Sequence, residues 1–271
     1  MKRLILGKGK VSEIIKRDAD TVLSRAECDI SEIDHVRQVV SDFNPDVLIN
    51  CAAKTNLEFC QENKREAFVS NTASIINLLE VCSEKGAKLV HISSGCLFDG
   101  NYFISDENTI PNPSVWYTWT KKWADDIIES YGYKNTLILR PRQLISKVPH
   151  PTNMITKFLE MESIPAIAES NSITCIEDFK EIIDHLLSID AVGIYNCNNS
   201  GSVSPYEIAM RIKGSLKPGL DVRRISYKAL LDILPNRRVN TILSNQKLID
   251  SGHEPRQAID ALDWCLEHYG K

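Results

Sequence analysis

Long apolar runs are missing from this sequence of 271 residues. The stretch nearest the start, Leu4-Ile-Leu6, is far too short for a signal peptide, and nothing approaches the roughly 20 residues that cross a bilayer, so a cytoplasmic protein with no membrane partner is expected. Basic runs are missing as well. A formal charge of -4 is mild and leaves no stretch suited to nucleic acid or an anionic surface. The eight cysteines (Cys28, Cys51, Cys60, Cys82, Cys96, Cys175, Cys197, Cys265) include no Cys-x-x-Cys and meet no paired histidine spacing. That pattern argues against a zinc site and a secreted disulfide scaffold, and reduced, buried thiols with no metal are expected. Internal repeats and low-complexity segments are absent too.

What is present is a 43% hydrophobic chain, long enough for one large α/β unit and a smaller part. Strand patterns at 2–6, 20–24, 46–50, 88–93 and 135–140 alternate with helical ones near 10–17, 32–43, 63–85 and 114–131. Alternation of this kind predicts a Rossmann-type, doubly wound parallel sheet. Pro141, Pro149 and Pro151 then break the pattern, and a helix at 153–160, an irregular stretch, a helix near 177–188 and a short strand at 193–196 follow. The expected organisation is a dinucleotide-binding domain over 1–145 and a smaller mixed α/β substrate region over 146–271, interleaved if the strand near 193–197 returns to the main sheet. Helices from about Ser204 and near 257–269 close the smaller region; Ser204-Pro-Tyr-Glu207 fits a capped start with proline in the first turn.

Tyr117 and Lys121 stand four residues apart, so they share one face of the helix predicted there. A tyrosine phenol ordinarily titrates near about 10, and an ammonium held beside it favours the phenolate, which suits proton transfer at a carbonyl or alcohol. Surface decoration is the commoner origin of such a pair, so its weight depends on what stands upstream. Lys88-Leu-Val-His-Ile-Ser-Ser94 reads as a buried strand ending in small polar residues, where open α/β sheets bind ligands, and Ser94 is placed to hold a carbonyl. Arg3-Leu-Ile-Leu-Gly7-Lys-Gly9-Lys10-Val11-Ser12 is a strand, a glycine turn and a helix start, the context of a dinucleotide fingerprint. Arg25 follows the second strand, where such folds read the adenosine ribose; a cation there favours a 2′-phosphate and hence NADPH, with NADH left open.

These residues resemble the extended short-chain dehydrogenase/reductases, and within them the dTDP-4-dehydrorhamnose reductase group. The likeness includes Asp46-Val-Leu-Ile-Asn50-Cys-Ala52-Ala53-Lys-Thr55, Asn71-Thr72, Leu139-Arg140 and Arg238-Val-Asn240. Gly95-Cys96-Leu-Phe98, Asn153-Met-Ile-Thr-Lys157, Asn171-Ser-Ile-Thr174 and Ser202-Val-Ser204 are similar to segments of the epimerase/reductase half of plant UDP-rhamnose synthase and its free-standing viral and fungal relatives. The resemblance implies epimerisation at C3 and C5 of a 4-keto-6-deoxy sugar, UDP-4-keto-6-deoxyglucose first of all, followed by reduction at C4 to UDP-L-rhamnose. It also implies Cys96 and Lys157 as the epimerising pair, with Ser94, Tyr117 and Lys121 for reduction. Inversion needs groups on both faces of the ring, and the enolate needs its oxygen held. Asp29, Ile30, Ala52, Ala53 and Asn71 resemble cofactor contacts, alongside Gly7, Gly9, Lys10 and Val11. Asn153, Arg142 and Arg238 are candidates for the nucleotide sugar, the arginines because guanidinium suits phosphate. A homodimer is the family habit.

The chain departs from that pattern in two places. The glycine turn reads Gly7-x-Gly9-x-x-Ser12, one residue shorter than the group's and without its last glycine, and the segment from Asp99 to Glu107 is brief. A plain 4-keto-sugar reductase and a non-catalytic binding module remain open alternatives; the module is suggested by the regulatory subunit of methionine adenosyltransferase, which shares the fold.

Overall fold

The computed structural model describes residues 1–100 and 104–271; part of the brief segment after Cys96, at 101–103, lies outside the described residues. Strands β1 (Arg3–Leu6), β2 (Thr21–Leu23), β3 (Val47–Asn50) and β4 (Lys88–Ile92) alternate with α1 (Lys10–Ile15), α2 (Ile33–Phe43), α3 (Leu57–Glu62), α4 (Lys64–Phe68) and α5 (Ser74–Lys85). Next come β5 (Ile104–Ser105), α6 (Trp116–Ser130), β6 (Thr136–Arg140), β7 (Leu144–Ile145), α7 (Met154–Glu160), β8 (Ser163–Ile167), β9 (Thr174–Cys175) and α8 (Ile176–Ser188). The chain ends with β10 (Gly193–Asn196), α9 (Pro205–Ser215), β11 (Asp221–Ile225), α10 (Tyr227–Ile233), β12 (Ile242–Leu243), α11 (Gln246–Asp250) and α12 (Ala258–Glu267). It divides into two compact units. The first holds Met1–Leu97, Pro111–Arg140 and Leu186–Tyr195; the second holds Phe98–Ile110, Pro141–His185 and Asn196–Lys271.

The first unit is built on a six-stranded sheet in the order β10-β6-β4-β3-β1-β2, with β1, β2, β3, β4 and β6 parallel wherever their register is defined. Every residue of β1, β3 and β6 is buried, as a sheet covered on both faces requires. Leu4, Leu48, Leu89 and Ile138 from the strands pack with Val36 and Val40 of α2 and Leu78 of α5. Each such side chain contributes about 1.5–3 kcal/mol through burial. Strand order reverses at β1, with β2 on one side and β3 on the other, so the carboxyl ends of β1 and β3 flank the switch point where sheets of this kind hold ligands.

Two expected elements differ. The single helix predicted over 63–85 is present as one continuous helical run, but with a bulge: α4 to Phe68 passes through a π turn at Val69–Ala73 into α5 at Ser74. Residues Asn71 and Thr72 of the turn bond Thr120 through side chain and backbone, and those polar anchors, invisible to apolar periodicity, hold the bulge. The stretch after residue 160, expected to be irregular, carries β8, which runs parallel to β11 with Ser163 opposite Asp221. Pro165 within it hides the strand pattern.

The second unit packs Ile155, Ile164, Val203, Ile208, Ile212 and Leu262 into a core of its own. Helix α9 starts as its sequence foretells: Glu207 N–H donates to Ser204 Oγ at 3.1 Å and Ser204 N–H to Glu207 Oε2 at 2.8 Å. Among the described residues, one group of possible metal ligands occurs, Cys175, Glu177 and Cys265. The Cys175 thiol donates to Glu177 Oε2 at 3.2 Å and lies 3.6 Å from Cys265 Sγ. The neighbouring Cys265 thiol and burial push Cys175 well above the ordinary thiol range, so it stays protonated.

Candidate active site

Strand β4 ends where Ser93 N–H donates to Leu139 O of β6 at 2.7 Å. The chain then leaves the sheet through a 3-10 turn at Gly95–Leu97. Ser94 is buried at the start of this turn and its Oγ accepts the Cys96 N–H at 3.1 Å, which leaves the hydroxyl proton to donate. Cys96 is half-buried on the same turn. Helix α6 begins nearby in the sequence, where the Thr118 hydroxyl accepts Val115 N–H at 3.2 Å and donates to Val115 O at 2.8 Å.

Tyr117, in the first turn of α6, is half-buried, whereas Lys121, one turn on, is 1% exposed. A lysine so buried is no surface decoration. Its Nζ donates to Ile92 O at 2.8 Å and meets His91 Nε2 at 3.0 Å, fastening α6 to the same strand end that carries Ser94. Burial pushes the amine down from 10.5 to about 8, with Asp125 opposing. The lysine can therefore exchange a proton near neutral pH.

The glycine turn lies at the switch point. Gly7 has φ +96°, its N–H donates to Leu23 O at 2.9 Å, and a Cβ there would come within 2.4 Å of the Ala52 nitrogen. Only glycine brings the loop after β1 this close to the loop after β3. A Cβ on Gly9 would meet nothing within 4 Å, so the backbone there faces open space. Ser12, in place of the group's last glycine, is buried and uses its hydroxyl twice: it accepts Gly9 N–H at 2.8 Å and donates to Gly9 O at 2.9 Å. Small size plus this clasp lets serine close the turn. Lys10 and Val11 open α1 and are half-buried.

Arg25 is exposed just past β2, and its Nε donates to Asp29 Oδ2 at 2.9 Å. Asp29 also accepts Ser31 N–H and Oγ–H; burial opposes its charge, but these bonds and Arg25 outweigh it and hold the carboxyl below its ordinary range. Ile30 is committed to the core. Ala52 and Ala53 are half-buried beside Gly7 and along the loop after β3. The Asn71 amide accepts Lys54 N–H at 2.7 Å and donates to Lys54 O and Thr120 Oγ1 at 2.9 and 3.0 Å. It clamps that loop to α6, so a cofactor contact from its side chain would have to replace one of these bonds.

The other candidates belong to the second unit. Lys157 is exposed on α7. Asn153 caps α7, accepting Ile155 N–H at 3.2 Å and donating to Ser146 O and Val148 O at 2.7 and 3.0 Å, so its amide is already engaged. Arg142 is buried, with one guanidinium nitrogen donating to Asn171 Oδ1 at 2.8 Å and Val239 O at 2.7 Å. Arg238 is half-buried and donates to Asn236 O at 3.2 Å.

Three features around Lys121 went unassigned in the sequence. His91 of β4 meets the amine, Asn50 of β3 stands behind it against the other ring nitrogen, and the buried Asp125–Arg140 pair, with both guanidinium contacts at 3.0 Å, joins α6 to β6. A period-2 reading places His91 and Asn50 inside a strand core, and a polar residue buried there is the one available signal.

A parallel sheet reversing at β1, a glycine turn packed on the loop after β3, and a Ser94, Tyr117 and buried Lys121 set define a Rossmann-type α/β protein of the short-chain dehydrogenase/reductase kind. The chain belongs to the family described as RmlD substrate binding domain, matched over residues 4–270. It is 27% identical over 221 residues to an Arabidopsis thaliana bifunctional dTDP-4-dehydrorhamnose 3,5-epimerase/dTDP-4-dehydrorhamnose reductase, covering 77% of this chain and 72% of that protein. Its fold is similar to that of a Bacillus anthracis dTDP-4-dehydrorhamnose reductase crystallised with NADP, with a TM-score of 0.89, 23% identity and full coverage of both chains, 100% each. The L780 UDP-rhamnose synthase of Acanthamoeba polyphaga mimivirus is similar too, with a TM-score of 0.87, 24% identity and 99% of each chain covered.

Proposed function

We propose that this protein reduces the C4 ketone of a nucleotide-linked 4-keto-6-deoxy sugar with NADPH. The observation that carries the reading is the burial of Lys121 against the end of β4, the strand that delivers Ser94, on a helix whose first turn carries Tyr117. Gly7 and Gly9 fit a pyrophosphate, since one lets the loops close and the other keeps the backbone open. With Lys10, Val11, Ala52 and Ala53 they would hold the dinucleotide, and Arg25 with Asp29 would hold its adenosine end, with Asn71 and Ile30 shaping the walls. The exposed Arg25 guanidinium favours a 2′-phosphate over a bare ribose.

The nicotinamide, when bound, supplies hydride to C4. Ser94 donates its hydroxyl proton to the ketone oxygen and orients it. Tyr117 gives its phenolic proton to that oxygen as charge develops there, and Lys121 sustains the tyrosine. Binding of the sugar nucleotide falls to Arg142 and Arg238, toward the diphosphate, while Asn153, fully buried with its amide spent on capping α7, positions the helix that carries Lys157.

The finer reading adds epimerisation at C3 and C5 before reduction, with Cys96 and Lys157 moving the protons on opposite ring faces. What favours it is the half-exposed thiol of Cys96, whose N–H is bound to Ser94 Oγ, so the group that would hold the carbonyl and the group that would take the neighbouring proton share one turn. The named activities of the Arabidopsis relative and of the mimivirus protein point the same way. The test supplies UDP-4-keto-6-deoxyglucose and NADPH in deuterated water and reads the product by NMR. Deuterium at C3 and C5 of a rhamnose product supports both activities. Oxidised NADPH with no deuterium at either carbon leaves the reductase alone, and no oxidation with UDP- or dTDP-linked keto-sugars overturns the reading.

A further inference from the structure

The Lys121 amine ends on the ring of His91, and the ring ends on an amide. His91 Nε2 lies 3.0 Å from Lys121 Nζ, and His91 Nδ1 lies 3.2 Å from Asn50 Nδ2. Asn50, His91 and Lys121 are each 1% exposed. The polarity of the chain is fixed at its far end. The Ala52 N–H is a donor in every state and sits 3.0 Å from Asn50 Oδ1, so the amide oxygen faces Ala52 and the amide nitrogen faces His91. An amide nitrogen only donates, so His91 Nδ1 carries a lone pair. Burial, helped by the charge of Lys121, pushes His91 far below its ordinary range and keeps the ring neutral. Its single proton is then on Nε2, pointing at the lysine. A ring N–H complements an amine lone pair and opposes an ammonium N–H.

We propose that Asn50 and His91 form a positioning dyad for Lys121, in which the amide locks the imidazole tautomer and Nε2–H donates to the free-amine form of the lysine. The Ile92 carbonyl accepts the amine's own N–H from the other side. Of the other groups near the amine, Asp125, itself paired with Arg140 at 3.0 Å, favours the ammonium, while Cys51, pushed up to about 12 by burial, stays a neutral thiol. The catalytic meaning of the dyad rests on the reductase reading. When the Tyr117 O–H bond breaks to protonate the sugar oxygen, a Lys121 Nζ–H bond breaks as the phenol is restored. The free amine left behind is the species that His91 receives, and solvent later returns its proton.

The tautomer can be read without substrate or cofactor. In 15N-labelled protein at about pH 9.5, above the value of about 8 at which Lys121 becomes the free amine, long-range 1H–15N spectra assigned by comparison with His91→Gln are expected to show His91 as the neutral Nε2–H tautomer. An Nδ1–H tautomer or an imidazolium overturns the dyad. Asn50→Asp presents an acceptor to Nδ1, so the ring is expected to flip to Nδ1–H. The lysine-dependent limb of the kcat profile then moves up by about one pH unit or more, because Nε2 now accepts from the ammonium. An unmoved tautomer and limb in that variant also overturn it. A protein that turns over no keto-sugar leaves the ring result standing, and a wrong tautomer leaves the reductase reading standing, so the two fail separately.

Discussion

Gly7 and Ala52 touch so closely that a Cβ on residue 7 would sit 2.4 Å from the Ala52 nitrogen, whereas the same atom on Gly9, two residues later, meets nothing within 4 Å. The two glycines of one turn therefore have different jobs, and substitution separates them. Gly7→Ala forces β1 and β3 loops apart at a left-handed φ and is expected to cost roughly 1–3 kcal/mol of stability, read as a lower denaturant midpoint. Gly9→Ala is expected to leave the midpoint within about 1 kcal/mol while weakening NADPH binding by about tenfold or more, measured by fluorescence titration. Equal NADPH affinity in Gly9→Ala and wild type would remove that residue from the cofactor site.

The Asp125–Arg140 pair has almost no solvent to fall back on, the two side chains being 2% and 3% exposed. Burial holds the Asp125 carboxyl above its ordinary range, with Arg140 opposing. Arg140→Met strands a buried carboxyl and is expected to destabilise by about 3–5 kcal/mol, while Asp125→Leu combined with Arg140→Met recovers much of the loss. Chemical denaturation of the single and double variants checks this; equal losses in both would show that the pair contributes packing alone.

Lys121 carries a sign that pH titration can read. Its folded-state proton affinity is lowered from 10.5 to about 8, so between those values the unfolded chain holds more protons than the folded one. Stability from this residue therefore rises as pH rises through that window. The difference in unfolding free energy between wild type and Lys121→Met is expected to shift toward wild type from pH 8 to 10.5. His91 adds a change in the acid range: its folded-state value lies well below 6.5, so stability is lost as pH falls under that value. A wild-type minus variant difference that stays flat between pH 8 and 10.5 contradicts the buried-amine account.

Cys96→Ala separates epimerisation from reduction. With UDP-4-keto-rhamnose, already inverted, the variant is expected to oxidise NADPH within about threefold of wild type. With UDP-4-keto-6-deoxyglucose in deuterated water it is expected to lose deuterium incorporation by a factor of about 10² or more. Full incorporation in the variant would remove Cys96 from the epimerising role.

The sheet was legible because its strands are short apolar runs set between helical periods, and the Tyr117, Lys121, Ser94 and Gly7 signals stand at strand or helix ends where spacing alone locates them. The π bulge at Val69–Ala73 was not, because Asn71 and Thr72 there are held by Thr120, some fifty residues on. Nor was the environment of Lys121: spacing places it on the face of Tyr117, but its burial against His91 follows from how α6 packs on β4. The clasp of Ser12 on Gly9 likewise explains a missing glycine that the sequence shows only as a departure.

The most direct test of the central claim is NADPH oxidation with UDP-4-keto-rhamnose by wild type and Tyr117→Phe, with NADPH binding measured on both. Steady oxidation by wild type and a loss of about 10²- to 10⁴-fold in kcat for the variant, with NADPH affinity retained, is the predicted result. A variant that turns over within a few-fold of wild type would contradict the assignment of Tyr117 as the proton donor.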